Sequence, residues 1–170
     1  MSLVKVFIAG SRSVSRLDDA LKQRLDRIVA EQHEVLVGDA NGADRAVQQY
    51  LADRQYQTVT VYCTGGHCRN NVGGWKTVPV EAPAGVRGGF DFYAAKDREM
   101  AAHATHGLML WDGESRGTLT NIKNLVRDNR PVVVYLSAAK AFLNLKTPAD
   151  LDVLIAQAGS SAGHEVRRHA

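Results

Sequence analysis

The chain has 170 residues, of which 45% are hydrophobic and 23% charged, and its formal net charge is +3 at pH 7. These values are typical of one globular domain with a sizeable core, and they argue against disordered, collagen-like and coiled-coil architectures. The charge excess is too small to indicate a nucleic-acid partner by itself.

The lengths of the apolar runs and the number of cysteines allow predictions about localisation and metal binding. No apolar stretch reaches the length of a membrane span, and the run at 4–9 is too short for a signal peptide, so we expect a cytoplasmic protein. Cys63 and Cys68 are expected to be reduced thiols. With His67 they offer three metal ligands, whereas structural zinc takes four and no second Cys/His cluster follows. We therefore predict no metal, and we name no cofactor.

Strands and helices alternate along the first part of the chain. The run 3–10 is apolar and β-rich, which indicates a strand buried on both faces. A helical stripe follows at 15–31, then a strand at 34–38, a helix at 42–55 and a strand at 58–63. The glycine-rich stretch 64–90, interrupted only by "KTVPV", is predicted to be a long loop that covers a ligand.

The alternation resumes after that loop. We predict a helix at 91–104, a strand at 107–113, a helix at 118–129 and a strand at 130–136, with a short edge strand at 142–145. A last helix begins with Thr147 as N-cap and Pro148 in its first turn, and it ends near Gly159. The domain thus covers 1–158, and a flexible tail covers 159–170.

This order predicts an α/β fold of the Rossmann-like type, with an open, mostly parallel sheet and helices on both faces. In such a sheet the turns that follow the strands meet at one edge, where ligands bind. Three of these turns share glycine and lead into a helix N-terminus, which favours anions: "AGSRS", "VGDANGAD" and "DGESRGT". Together they predict a site for an anionic ligand.

The chemistry of these turns points to a nucleotide. Arg12 and Arg116 lie in two of the turns and Arg69 in the long loop, and guanidinium groups suit phosphate oxygens. Asp39 or Asp44 would repel phosphate, so either is better placed against sugar hydroxyls. Trp75 or Trp111 could stack on a base, although Trp111 suits the core equally well. The dinucleotide and P-loop fingerprints are both missing, which disfavours ordinary Rossmann dehydrogenases and P-loop NTPases.

The motifs "FIAGSRS", "VGDANGADRAV", "RNN" and "DGESRGTLTNI" resemble the SLOG superfamily, in particular its small YspA-like members. That superfamily also includes the lonely-guy phosphoribohydrolases, once called lysine decarboxylases, and DNA-processing protein A. The resemblance covers roughly 4–136. It implies a Rossmann-like fold that binds a nucleotide or a derivative such as an ADP-ribose-like molecule, and it suggests a homodimer.

The family's motif residues, transferred to the matching positions of this chain, and the turn chemistry together give one set of ligand-binding candidates. They are Gly10, Ser11, Arg12, Gly38, Asp39, Ala40, Gly42, Ala43, Asp44, Arg69, Asn70, Trp75, Ser115, Arg116, Gly117, Thr118 and Asn121.

The resemblance does not extend to the catalytic residues of the lonely-guy enzymes. The lonely-guy enzymes use a glutamate just after the G-T pair together with a helix arginine, whereas Thr120 and Asn121 follow that pair here. Lys96 and Arg98 are only approximate candidates for the arginine.

Three functions are weighed on this basis. The first, a nucleotide-derivative sensor or binding module, follows from a phosphate site without the known acid. The second is an N-glycoside hydrolase with a substitute carboxylate, for which the candidates are Asp39, Asp112 and Glu114. The third is a DNA-associated protein, by analogy with DNA-processing protein A. The small charge excess and the lack of a basic-aromatic patch weigh against it, so we do not expect nucleic acid or a membrane as partner.

Overall fold

The fold is taken from a computed structural model, which describes the backbone of residues 3–169 and the side chains of residues 3–159. Its elements in chain order are β1 (Lys5–Gly10), α1 (Asp19–Ala30), β2 (Glu34–Gly38), α2 (Ala43–Asp53), β3 (Val59–Thr64), β4 (Lys76–Val80), α3 (Gly89–His103), β5 (His106–Trp111), α4 (Arg116–Arg127), β6 (Val132–Leu136), β7 (Ala141–Leu145) and α5 (Pro148–His169). Among the described helices, none is long and apolar enough to cross a membrane.

The seven strands form one sheet in the order β4-β3-β2-β1-β5-β6-β7. Every neighbouring pair is parallel except β6 and β7, which are antiparallel. The predicted Rossmann-like α/β fold is therefore confirmed, and so is the edge strand near 142–145.

Helices cover both faces of the sheet because alternate residues of each strand point to opposite sides. In β1, Val6 and Ile8 join the core beneath α1 and α2, whereas Phe7 and Ala9 join the core beneath α3, α4 and α5. Both faces are apolar, as a parallel sheet buried between two helical layers requires.

The position of a ligand site follows from the strand order. The chain proceeds outward from β1 through β2 and β3 to β4, and then returns to place β5 on the other side of β1. The connections after β1 and β5 therefore lead away in opposite directions. Such a switch point leaves a crevice outside the carboxyl ends of the two strands, which is where open α/β sheets bind ligands.

The stretch 64–90 contains a strand, so the prediction of one long loop is wrong in part. Residues Lys76–Val80 pair with β3 in parallel register. Their position at the edge of the sheet explains why Pro79 is tolerated, since proline cannot donate a hydrogen bond to a further strand. The remaining loops are 65–75 and 81–88.

The expectation of two reduced thiols is also wrong, because Cys63 and Cys68 form a disulfide. Gly65 and Gly66 both have positive φ and turn the chain back on itself. The Cα atoms of the two cysteines are consequently 5.1 Å apart, a normal separation for a disulfide. Both sulfurs are taken up in the bond, so "CTGGHC" does not offer thiolate ligands to a metal.

The last helix begins as predicted, with Pro148 as its first residue and the Thr147 hydroxyl accepting a hydrogen bond from the Asp150 backbone N–H. The helix runs on past Gly159 to His169, beyond the predicted end. The flexibility predicted for 159–170 remains a prediction, and the side chains beyond Gly159 lie outside the described residues.

Candidate functional site

A cavity of about 730 Å³ lies at the carboxyl edge of the sheet, beside β1 and β5. This volume is within the usual range for small-molecule sites. The cavity wall combines the three turns that the sequence singles out with one side of α3. Its lining residues are Ala9, Gly10, Arg12, Ser13, Ala40, Asp44, Arg69, Gly89, Phe90, Tyr93, Ala94, Lys96, Asp97, Arg98, Met100, Asp112, Ser115, Gly117, Thr118, Thr120, Asn121 and Asn124.

The turns after β1 and β5 are joined behind the wall. The buried Ser11 hydroxyl accepts a hydrogen bond from the Asp112 backbone N–H (3.2 Å) and lies 3.4 Å from the Thr118 hydroxyl. Gly10 must be glycine, since a Cβ there would lie 2.7 Å from the Ala43 Cβ. Ser11 and Gly10 therefore set the distance between the turns.

The turn after β2 packs directly on the turn after β1. Gly42 has a φ of +84°, and a Cβ at this position would lie 2.5 Å from the Arg12 carbonyl oxygen. Only glycine combines this conformation with so close a contact. The turns that carry Arg12, Gly42 and Thr118 thus meet around one hollow, as the sequence predicts.

Asp39 is held by the segment that follows the disulfide. Its carboxylate accepts hydrogen bonds from the Arg69 backbone N–H (2.9 Å) and guanidinium (2.8 Å). The Asn70 side-chain amide donates to the Asp39 carbonyl and to the Asn41 side chain. Burial raises the pKa of Asp39, but the hydrogen bonds from Arg69 outweigh it and leave the pKa below its ordinary value. Asp39 is an ionised anchor for Arg69 and lies outside the cavity wall.

In the turn after β5, Asp112 organises the backbone. Its carboxylate accepts hydrogen bonds from the N–H groups of Glu114 and Ser115 and from the Ser13 hydroxyl. Burial raises the pKa of Asp112, but the hydrogen bonds together lower it by more, so the pKa lies below its ordinary value. An ionised carboxylate with this many donors is a poor general acid. Glu114 lies outside the wall.

A charged cluster on α3 completes the site, and sequence reasoning largely missed it. Lys96 is buried and donates a hydrogen bond to the Asp97 carboxylate (3.1 Å), which also accepts one from the Asn121 amide (3.0 Å). Gly38 makes room for this cluster, since a Cβ there would lie within 2.8 Å of both the Lys96 amine and the Asp44 carboxylate. Lys96 and Asp44 are therefore close neighbours at the cavity wall.

Burial has different net effects on the pKa values of Asp44 and Lys96. Burial raises the pKa of Asp44 to about 6, although Lys96 acts against the shift. Burial lowers the pKa of Lys96, but the carboxylates of Asp97, Asp44 and Asp39 outweigh it and hold the pKa above its ordinary value. At neutral pH the wall thus carries a lysine cation, and it also carries a carboxyl group that changes charge near pH 6.

Two aromatic rings stand at the N-terminal end of α3. The Arg116 guanidinium lies 4.3 Å from the centre of the Phe90 ring, and the Arg69 guanidinium lies 4.2 Å from the centre of the Tyr93 ring. Both rings line the cavity, whereas Arg116 does not. Arg116 therefore contacts the wall through Phe90.

The helices that begin at the cavity have open N-terminal ends. Within the described residues, the starts of α2 at Gly42 and α4 at Ser115 carry no side-chain cap. The first N–H groups of a helix have no partner inside the helix and attract anions, aided by the helix dipole. Gly117 in the first turn of α4 leaves space for a ligand, with no atom within 4 Å of where its Cβ would be.

The predicted residues fall into three groups. Those at the cavity wall are Gly10, Arg12, Ala40, Asp44, Arg69, Asp112, Ser115, Gly117, Thr118 and Asn121. Those in supporting positions outside the wall are Ser11, Gly38, Asp39, Gly42, Ala43, Asn70, Glu114 and Arg116. The third group is Trp75 alone.

Neither tryptophan is placed to stack on a ligand at this cavity. Trp75 is 6% exposed and packs in the core beneath α1 and α2, where its indole N–H donates to the Tyr56 carbonyl. Its placement in the predicted binding set is thus wrong. Trp111 is buried too, and its indole N–H donates to the Ser115 carbonyl.

The sequence holds a signal for the missed cluster. Lys96 precedes the buried Met100 by four residues, and residues four apart lie on the same face of a helix. A lysine on an inward face needs carboxylate partners, which Asp97 and Asp44 supply.

No family model and no curated protein matches the chain. Solved structures of DNA processing protein A do share its fold. The protein from Helicobacter pylori, described for its single-stranded DNA binding mode, is 16% identical with a TM-score of 0.57 over 77% of this chain and 64% of that chain. The protein from Streptococcus pneumoniae is 14% identical with a TM-score of 0.57 over 78% of this chain and 50% of that chain.

The chain thus spans 64% and 50% of these relatives' length. The expectation against a nucleic-acid partner is wrong, because a protein with this fold is described by its binding of single-stranded DNA. Net charge is a poor guide here, since a ligand responds to the charges of one edge and not to the sum over the molecule. The chain therefore shares its fold with DNA processing protein A.

Proposed function

We propose that the chain binds a nucleotide or a nucleotide derivative, such as a nucleoside phosphate or an ADP-ribose-like molecule, and acts as a sensor or binding module. The observation that carries the proposal is the meeting of three glycine-containing turns around one cavity at the switch point of the sheet.

The phosphate would bind at the start of α4. The start of α4 has no side-chain cap, a Cβ at Gly117 would meet open space, and the helix dipole favours negative charge. Arg12 lines the same cavity and would supply charge-assisted hydrogen bonds.

The sugar would bind toward α2 and α3. Asp44 and Asp97 line that side, and carboxylates accept hydrogen bonds from hydroxyl groups. One side of the cavity would therefore bind the negatively charged phosphate, and the other side would bind the neutral hydroxyl groups of the sugar.

The YspA-like subgroup of the SLOG superfamily fits this arrangement best. Its three motifs, carried here by Gly10–Arg12, Gly38–Asp44 and Ser115–Thr118, occupy or support the same cavity wall. Motifs that are far apart in sequence and meet at one cavity are most simply explained by a shared ligand.

One observation favours an N-glycoside hydrolase as a second function. Asp44 lines the cavity, and its pKa of about 6 suits a general acid near neutral pH. Asp39 is committed to Arg69, Asp112 has a lowered pKa, and Glu114 lies outside the wall. Asp44 therefore replaces these three as the candidate acid.

Calorimetric titration with AMP, ADP-ribose and a single-stranded oligonucleotide, followed by chromatography for free base, tests both functions. A binding module forms a stoichiometric complex with a mononucleotide and releases no base. Release of adenine that is lost in Asp44→Asn identifies the hydrolase. Binding of the oligonucleotide without binding of any mononucleotide contradicts both proposals.

A further inference from the structure

We propose that Phe90, supported by Tyr93, forms a stacking surface for an aromatic base, so that the ligand is a complete nucleotide and not a bare sugar phosphate. This inference rests on the proposed function and specifies the ligand of the same cavity. It concerns the rings at the start of α3, a part of the wall that belongs to none of the three turns.

Phe90 is unusual in its exposure. Its side chain is apolar and large, yet the residue is 40% exposed at the cavity. A phenylalanine that stays partly in water forgoes part of its burial free energy. An aromatic ligand that covered the ring would recover part of that free energy.

The Phe90 ring is in contact with a cation. The Arg116 guanidinium lies 4.3 Å from the ring centre and does not line the cavity, whereas Phe90 does. A cation–π contact of this kind restricts the ring. Because Phe90 lines the cavity, a ligand there can reach its ring.

Tyr93 is held in a similar way. Phe92 meets it edge to face at 4.9 Å between ring centres, and Arg69 stacks on it at 4.2 Å. Arg69 is itself fixed by two hydrogen bonds to the buried Asp39. These contacts restrict the aromatic end of the cavity before a ligand binds, which lowers the entropic cost of binding.

Stacking on an aromatic ring accepts any base, since every base has a π face. The surface therefore predicts a preference for nucleotides over sugar phosphates with little choice among bases. Typical stacking gains correspond to a ratio of roughly fivefold to a hundredfold in affinity.

The test is calorimetric titration of the full chain with AMP and with ribose 5-phosphate. We expect AMP to bind roughly fivefold to a hundredfold more tightly. In Phe90→Leu the two affinities should approach each other, through weaker binding of AMP and unchanged binding of ribose 5-phosphate. Because Phe90 is partly exposed, this variant keeps the core intact, and its melting temperature checks that point.

Phe142→Leu is the matched control. Phe142 also carries an arginine over its ring, with Arg24 at 4.9 Å, but it lies on β7 away from the cavity. It should leave the AMP to ribose 5-phosphate ratio unchanged. Equal affinities in the wild type, or an unchanged ratio in Phe90→Leu, would overturn the stacking surface and leave the proposed phosphate site standing. Binding of neither compound would overturn the proposed function itself.

Discussion

The helices of this molecule begin in two different ways, and the difference follows the cavity. The start of α1 is closed by Asp18, which accepts a hydrogen bond from the Leu21 N–H, and the start of α5 is closed by Thr147 and Asp150. Within the described residues, the starts of α2, α3 and α4 have no side-chain cap, and all three helices contribute to the cavity wall.

An N-cap without a side-chain hydrogen bond costs stability, from a few tenths of a kcal/mol where glycine takes the position, as in α2 and α3, to about 0.5–2 kcal/mol otherwise. A chain that caps two helices and leaves open the three at the cavity keeps backbone donors available there. The helix starts at the cavity thus differ from those elsewhere in whether a side chain accepts hydrogen bonds from their first N–H groups.

Gly117→Asp should give the largest effect and should act on binding alone. A carboxylate beside a bound phosphate costs about 1 kcal/mol in water and about 4 kcal/mol in a partly desolvated site, so nucleotide affinity should fall by roughly fivefold to a thousandfold. The same carboxylate in the first turn of α4 should leave the stability of the fold equal or slightly higher, because acids are favourable at helix starts. Calorimetry and urea unfolding measure the two effects.

Gly117→Asn is the matched control, since it has the same shape without the charge. It should weaken binding much less than Gly117→Asp. If the two variants bind equally, charge at the start of α4 plays no part in recognition.

Asp44 should make stability depend on pH in the direction opposite to most carboxylates. Its pKa is about 6 in the folded chain and 3.8 in the unfolded reference, so between these values the folded state binds more protons. The free energy of unfolding contributed by Asp44 therefore falls as pH rises from about 4 to about 6, by up to roughly 3 kcal/mol.

The check is urea unfolding of the wild type and Asp44→Asn at pH 4 and pH 7. Relative to the variant, the wild type should be less stable at pH 7 than at pH 4. If the difference in free energy of unfolding between wild type and variant is the same at both pH values, or favours the wild type more at pH 7, burial does not control the pKa of Asp44.

Reduction of the disulfide should come next in size. In the chain-entropy model, a loop as short as that between Cys63 and Cys68 contributes about 2 kcal/mol. The disulfide also fixes the segment that carries Arg69, so reduction should weaken nucleotide binding as well. A double Cys→Ala variant should not respond to the reductant. Equal unfolding midpoints with and without dithiothreitol in the wild type would contradict this role.

Asp18→Ala should give the smallest effect and only on stability. Loss of the α1 cap and of the hydrogen bond that Asp18 accepts from the Tyr135 hydroxyl should cost about 1–2 kcal/mol, read from the urea midpoint, with nucleotide affinity unchanged. A parallel loss of affinity would mean that capped and open helix starts are not separate in function.

The sequence predicts the fold and the edge that carries the cavity well, because both depend on local patterns. Apolar runs such as 34–38 and glycine turns such as Gly10–Arg12 are visible in the chain, and parallel topology brings the turns together. The start of α5 at Pro148 is predicted for the same reason, since cap and first turn are adjacent in sequence.

What the sequence misses depends on contacts between distant segments. Trp75 looks available in a glycine-rich loop, but its indole N–H is bound to the Tyr56 carbonyl in the core. Lys96 looks like a surface lysine, and only the fold shows the carboxylates that keep it charged when buried. The pairing of Cys63 with Cys68 depends on the turn at Gly65 and Gly66, which spacing alone does not reveal.

A crystal structure of the chain with AMP gives the most direct test of a nucleotide site at the open helix starts. We expect the phosphate within hydrogen-bond distance of the backbone N–H groups of Gly117 and Thr118, with the sugar toward Asp44. A phosphate bound away from α4, or AMP held on another face while this cavity contains only solvent, would contradict it.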